Sequence, residues 1–300
     1  MLLVSGEHAA FHGKPADAVG FFEQAVVLAQ AQGRHAEVAA AAWLLGVALG
    51  AGGRYGGALT VLSPLVDSGT VAGAPAERRL FAALAGATVA SVHRQLGRHA
   101  VAREADQAAL ELTDGTSEAA YDAVLGLASD AVGLDEADRA QEQLGRAAAL
   151  LPERGDEWWR QRVRLGWVQA ETALLEGNAD EAVVRARTAV DRAEAARAPR
   201  HVAKGLLIQG LAEVGADEDE AVVTLRRAAT LAESLGALPL VWPARALLGA
   251  LVGERDPLEG DRSLAAARAA VRTIAADLPA GVRVGWLARP DVAALLDSRV

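Results

Sequence analysis

Three hundred residues with a formal charge of −9, a pI near 5.3 and no cysteine exclude several kinds of function. No basic stripe is available to neutralise a phosphate backbone, so direct nucleic-acid binding is not expected. Without thiols there are no disulfides, cysteine nucleophiles or cysteine-based metal sites. Hydrophobic residues make up 52% of the chain but aromatics only 4%, with alanine at roughly a quarter of all positions. That composition favours closely packed helices over strands.

At the N-terminus, Met1-Leu2-Leu3-Val4 lacks the basic segment and long apolar core of a signal peptide. The longest uncharged stretch, 38–53, is shorter than the roughly 20 residues that span a bilayer. A cytoplasmic protein that does not enter membranes is expected. One phrase then recurs: a Gly, four residues, and an Ala that opens an apolar stripe of helical spacing. It runs from Gly13 to Ala18, Gly53 to Ala58, Gly97 to Ala102 and Gly177 to Ala182. Behind the Ala come pairs such as Phe22 and Ala25, Leu62 and Leu65, and Ala186 and Ala189. Two further units, opening at Ala140 and Ala221, keep the stripe and lose the Gly. The Ala markers stand 40, 44, 38, 42 and 39 residues apart.

Upstream of each marker lies a second apolar helix: 39–49, 80–92, 121–132, 163–175 and 202–214. Each unit therefore reads as helix, tight turn, helix, with Gly suited to a left-handed turn. Loop chemistry between units is expected at Ser63-Pro64, Asp67-Ser68-Gly69, 114–117 and 152–156, with Ser117 as a helix cap. Counting back from Gly6, the first helix of the first unit is short. The opening edge, with Leu2 and Leu3, then calls for a cover, and a homodimer through it is one way to supply that.

The order Leu45-Gly46, Gly53, Ala58, Leu62 resembles the tetratricopeptide repeat; so do Gly6, Gly13, Ala18, Phe22, Ala25 and, for its second half, Ala140, Leu144, Ala147, Pro152. The long intervals are similar to the repeat arrays of the maltose-regulon activator and of large ATP-binding LuxR-type regulators, as is the ending 277–292. The resemblance implies an all-α solenoid of six to seven helix pairs over 1–276, and a tail, 277–300, packed on the last repeat. It also implies a non-catalytic scaffold for a protein or peptide partner, in a regulatory or signalling assembly. The alternative is a sensor that closes its groove around a small effector. Groove positions carried over from the family fall on Trp43, Ser91, Arg94, Gln95, Asp122, Ser129, Arg164, Trp167, Glu171 and Glu213. Trp43 and Trp167 could equally be core.

Catalysis finds little support. The glycine-rich run 50–57 follows a helix, and Tyr55 stands where a dinucleotide loop needs its third Gly, so it reads as a flexible turn. His8 and His12 share a helix face without a third ligand and read as surface histidines near a frayed end. The acidic run Asp217 to Glu220 reads as a helix cap. The arginine-rich segment 160–164 follows Asp156-Glu157, the segment 185–200 contains Asp191 and Glu194, and both read as solvated faces. No cofactor or metal is expected.

Overall fold

The computed structural model describes residues 1–151 and 157–297. Among these there are sixteen α-helices and no strand. Fourteen form seven consecutive antiparallel pairs: α1 (Leu2–His12) with α2 (Pro15–Ala31), α3 (His35–Gly52) with α4 (Tyr55–Gly69), and α5 (Ala76–Gln95) with α6 (His99–Glu111). They continue as α7 (Glu118–Gly133) with α8 (Ala137–Leu150), α9 (Trp159–Leu175) with α10 (Ala179–Ala195), and α11 (Pro199–Glu213) with α12 (Glu218–Leu235). The seventh pair is α13 (Leu238–Val252) with α14 (Pro257–Asp277), followed by the short α15 (Ala280–Leu287) and α16 (Pro290–Asp297).

Local chemistry explains the boundaries. Gly53 and Gly97 turn in the left-handed region, at φ 87° and 73°, and in the unit that lacks the Gly, Asp135 takes the same role at φ 59°. Gly13 ends α1 at φ −131° and needs no such freedom. Ser117 caps α7 by accepting from the Ala120 N–H, and Asp217 caps α12 by accepting from the Glu220 N–H, as the sequence suggests. Two expected loop stretches are helical instead: α4 runs through Ser63-Pro64 and through Asp67-Ser68-Gly69, where it ends. Proline costs that helix a hydrogen bond, but Leu62 is fully buried against α3 and holds the helix together. The expected loop 152–156 lies outside the described residues.

In six of the seven pairs the two helices touch at a glycine. Gly6, Gly46, Gly86, Gly126 and Gly166 stand 40 residues apart. A Cβ on Gly46 would lie 2.5 Å from Leu62, and one on Gly6 2.5 Å from Phe22. Gly6, Gly46, Gly86 and Gly166 set the distance within their pairs, where the second helix presents a large side chain, or Ala109 and Ala189, into the gap, whereas Gly126 faces Asp106 on α6 of the preceding unit.

The array is wound tightly enough to meet itself. The first unit packs on the sixth through α1 and α11; the second packs on the seventh through α3 with α13 and α4 with α14. Asp277, at the end of α14, accepts from the Gly56 and Gly57 N–H groups at 2.6 and 3.2 Å and so caps α4. Gly53 in the same run approaches Ile274 and Pro239. The glycine-rich stretch is therefore the seam of the superhelix as well as a turn. The Nδ1 of His12 lies 3.1 Å from the Arg197 carbonyl, so His12 belongs to the seam and not to a frayed surface end. The first helix thus packs on the chain's own sixth unit, with Leu2 and Leu3 half-buried and Met1 and Val4 exposed.

One hydrophobic core spans the two ends: Phe22, Leu45 and Leu62 share it with Ile274, Trp286 and Val292. α15 and α16 pack on α14 and also extend beyond it. The Arg289 guanidinium donates to the Gln95 carbonyl at 3.2 Å, which places the tail against the third unit, where an eighth would fall.

Candidate functional site

Closing the superhelix turns a groove into a central cavity of about 950 Å³. The first helix of every pair contributes to its wall, as does the start of α16. α3 shows what this demands of a sequence. One side of α3 is core (Leu44, Leu45, Ala48, Leu49), while Trp43, Val47 and Ala51 lie along the cavity, so the helix is apolar all round. Among the described residues it is the one helix long and apolar enough, by length and composition, to cross a membrane; its double packing duty accounts for that.

Nine of the ten groove positions expected from sequence line this single cavity: Trp43, Ser91, Arg94, Gln95, Asp122, Ser129, Arg164, Trp167 and Glu171. Glu213 does not. It is 3% exposed and accepts from Arg187 at 2.9 Å and Gln209 at 2.8 Å, at the α10–α11 contact. The last turn of α11 brings it onto the second helix of the preceding unit, away from the cavity.

Trp167 and Trp43 are both core and wall. Trp167 is 5% exposed, stacked on His201 at 5.3 Å between ring centroids, with the Lys204 ammonium 4.9 Å above it. Trp43 is half-buried, and its indole N–H donates to Thr88 Oγ1 at 3.1 Å. Arg94 is anchored instead of free: it pairs with Asp106 and, at 3.2 Å, with Asp130, two carboxylates with no solvent exposure. Burial pushes the Asp106 carboxyl well above the usual carboxylate range, with Arg94 opposing the shift and Asp130 adding to it.

Several wall residues were not legible as such. Arg160, read as part of a solvated face, is only 15% exposed. It lies 3.5 Å from Asp122, which Arg164 also contacts, and 5.5 Å from the Phe11 ring centroid. Residues 160, 164, 167 and 171 are spaced as one face of α9, a signal that preceding Glu157 obscured. On α11 the matching face carries Arg200, His201 and Lys204. Burial, reinforced by Arg200, Arg160 and Arg164, holds the His201 imidazole well below its usual pKa. Burial also lowers Lys204, against the pull of Glu171 at 3.7 Å. In total the cavity wall bears Arg94, Arg160, Arg164, Arg200, Lys204 and Arg289 against Asp122, Glu171 and Asp291.

Neither a protein-family model nor a curated protein sequence matches the chain. Solved structures do. A Rap protein complexed with Competence and Sporulation Factor superposes with a TM-score of 0.60 at 13% identity, over 86% of this chain and 72% of the other. Aspartyl phosphate phosphatase F from Bacillus subtilis gives 0.51 at 14% identity, over 72% of this chain. The chain spans 60% of the length of that phosphatase. The fold is a tetratricopeptide-like helical repeat. This agrees with the solenoid expected from the Gly–Ala phrase, and its seven pairs stand at the upper end of the expected number.

Proposed function

We propose that the chain is a non-catalytic scaffold that holds a peptide or a segment of a partner protein in its central cavity. The observation that carries this reading is the cavity itself: continuous, about 950 Å³, and lined by all seven first helices with Trp43, Trp167 and Trp242 among them. Large aromatics and arginines in a desolvated pocket are the usual anchors of a bound chain. A complex with Competence and Sporulation Factor is known for a protein of this fold, which supports the same reading. The non-catalytic character rests on the wall's chemistry. Asp122 and Glu171 are engaged with cations and the His201 ring is stacked on Trp167, and among the described residues none of the three is hydrogen-bonded to a hydroxyl that could act as nucleophile. The phosphatase among the fold relatives is the counter-argument, which a phosphatase assay on purified protein would address.

A place in a regulatory assembly, of the kind that the maltose-regulon activator and LuxR-type regulators form, follows from the sequence resemblance and is part of the proposal. So are a cytoplasmic location, the lack of nucleic-acid and membrane partners, and the division into a solenoid (1–276) and a tail (277–300). A second reading, a small-effector sensor, draws on one observation: the closed seam makes a cavity within the size range of small-molecule pockets.

Ser129→Trp tests both. Ser129 is half-buried on the wall, so the substitution fills the cavity without opening the core. Pull-down from host lysate should retain a partner on wild type and lose it on a Ser129→Trp protein of unchanged circular dichroism. A partner held equally by both would place binding outside the cavity and overturn the proposal. Ligand-dependent melting with small molecules alone would favour the sensor.

A further inference from the structure

The α9–α11 wall carries more positive charge than the chain neutralises. Arg160 and Arg164 share one carboxylate, Asp122, and Lys204 has Glu171. Among the described residues no carboxylate lies within ion-pair distance of Arg200. The groups that act on it most are Tyr55 and another cation, Arg164. The Arg200 Nε is closed off from solvent and makes no hydrogen bond. Arginine does not shed its proton to escape such a position. A half-buried guanidinium without a counter-ion therefore costs free energy that the fold alone does not recover.

Its surroundings report the same imbalance. Three guanidinium groups and one ammonium face two carboxylates here, a surplus of two positive charges on a chain whose total is −9. The neutral His201 ring, one residue beyond Arg200, is kept from protonating partly by these cations. The Trp167 Nε1–H is likewise buried without an acceptor. Elsewhere many arginines are matched, as Arg185 is with Glu181, Arg226 with Glu259 and Arg245 with Glu233, and unmatched ones such as Arg54, Arg78 and Arg79 are exposed to water. Arg200 differs from them in having a buried guanidinium nitrogen without a partner.

We propose that the cavity selects an acidic segment, one of whose carboxylates docks against Arg200, Arg164 and Lys204 while its apolar flank lies along Trp167. This rests on the peptide-binding reading and adds the charge of the bound peptide. A guanidinium offers a planar pair of donors that a carboxylate can fill bidentately, and doing so in a desolvated wall makes the contact strong. The carboxylate could come from an Asp or Glu side chain or from a peptide C-terminus.

The test uses pools of short randomised synthetic peptides on the full chain, read by thermal shift and by intrinsic tryptophan fluorescence. One pool is rich in Asp and Glu with a free C-terminus, a second is the same pool amidated, and a third is rich in Lys and Arg. Wild type should bind the acidic pool at least about 10-fold more tightly than the basic one. Arg200→Gln should lose at least about 10-fold for the acidic pool while melting no lower than wild type, because it removes an unpaired cation. If Arg200→Gln does not fold, Lys204→Gln replaces it, and Arg200→Lys should keep part of the affinity. Amidation that weakens binding assigns the carboxylate to the C-terminus; amidation without effect assigns it to a side chain. Equal binding of acidic and basic pools, or full affinity in the folded Arg200 and Lys204 variants, overturns the inference and leaves the peptide reading standing. No binding of any pool by wild type sinks both.

Discussion

Replacing Arg94 by Leu should unfold the third and fourth units well before it tells anything about ligand binding. The Arg94 side chain is 10% exposed, and it is the guanidinium that joins Asp106 on α6 to Asp130 on α7, both fully buried. Taking it away leaves two buried carboxylates with no counter-ion, and breaking a buried pair in this way costs about 3–5 kcal/mol. For a chain of this size that corresponds to a fall in Tm on the order of 10 °C. The loss should depend on pH with a definite sign. Asp106 already holds its proton well above the usual carboxylate range in the folded state. Without Arg94 both carboxyls shift further in that direction, so the folded state binds more protons than the unfolded one and loses stability as pH rises. Circular-dichroism melts at about pH 5 and about pH 7.5 should show the larger deficit at the higher pH. Adding Asp106→Asn and Asp130→Asn should recover most of it, since no unpaired charge remains. An Arg94→Leu protein that melts within a few degrees of wild type, or equally low at both pH values, would refute the assignment of Arg94 as the keystone of a buried ion triad.

Three further outcomes follow from the same contacts. Gly46→Ala should cost about 1–3 kcal/mol, because its Cβ would lie 2.5 Å from buried Leu62. Gly20→Ala, with nothing within 4 Å of its Cβ, should instead gain up to about 1 kcal/mol from helix propensity; urea melts of the two decide whether close approach governs. Asp277→Asn should weaken the seam by about 1 kcal/mol, seen as faster hydrogen exchange at Gly56 and Gly57 with the amides of α7 and α8 unchanged. His201 is 5% exposed with its pKa held down, so the unfolded state binds the proton first. Stability should therefore fall by about 2 kcal/mol as pH drops from about 6.5 to about 5. His201→Phe should remove that part of the acid sensitivity in melts across the range.

What the sequence displayed and what it hid divide along one physical line. Contacts within a unit leave periodic marks: the Ala stripe, the left-handed Gly53 and Gly97, the Ser117 cap. The 40-residue spacing of Gly6, Gly46, Gly86, Gly126 and Gly166 was there too, a stronger mark than the Ala phrase in so alanine-rich a chain. Proline misled at Pro64, where side-chain burial outweighs a lost hydrogen bond. Contacts between distant units leave no period. Nothing local ties Asp277 to Gly56, or His12 to the Arg197 carbonyl, 185 residues away. The seam was therefore invisible, and its glycines passed for a flexible turn.

That same blindness explains the cavity cations. A carboxylate near an arginine in sequence need not face it in space, since neighbours one or two residues apart on a helix point in different directions. Arg185 and Arg200 look alike in the sequence, yet Arg185 meets Glu181 one turn away on an outer face. Arg200 opens the first helix of the next unit and faces inward, beside Arg164. Within the seven pairs an arginine reaches the cavity wall only from the inward face of a first helix: Arg78 and Arg79, also on a first helix, are exposed. In this array the first helices face the cavity, so an unmatched charge on that face is the place where a bound partner would supply what the fold does not.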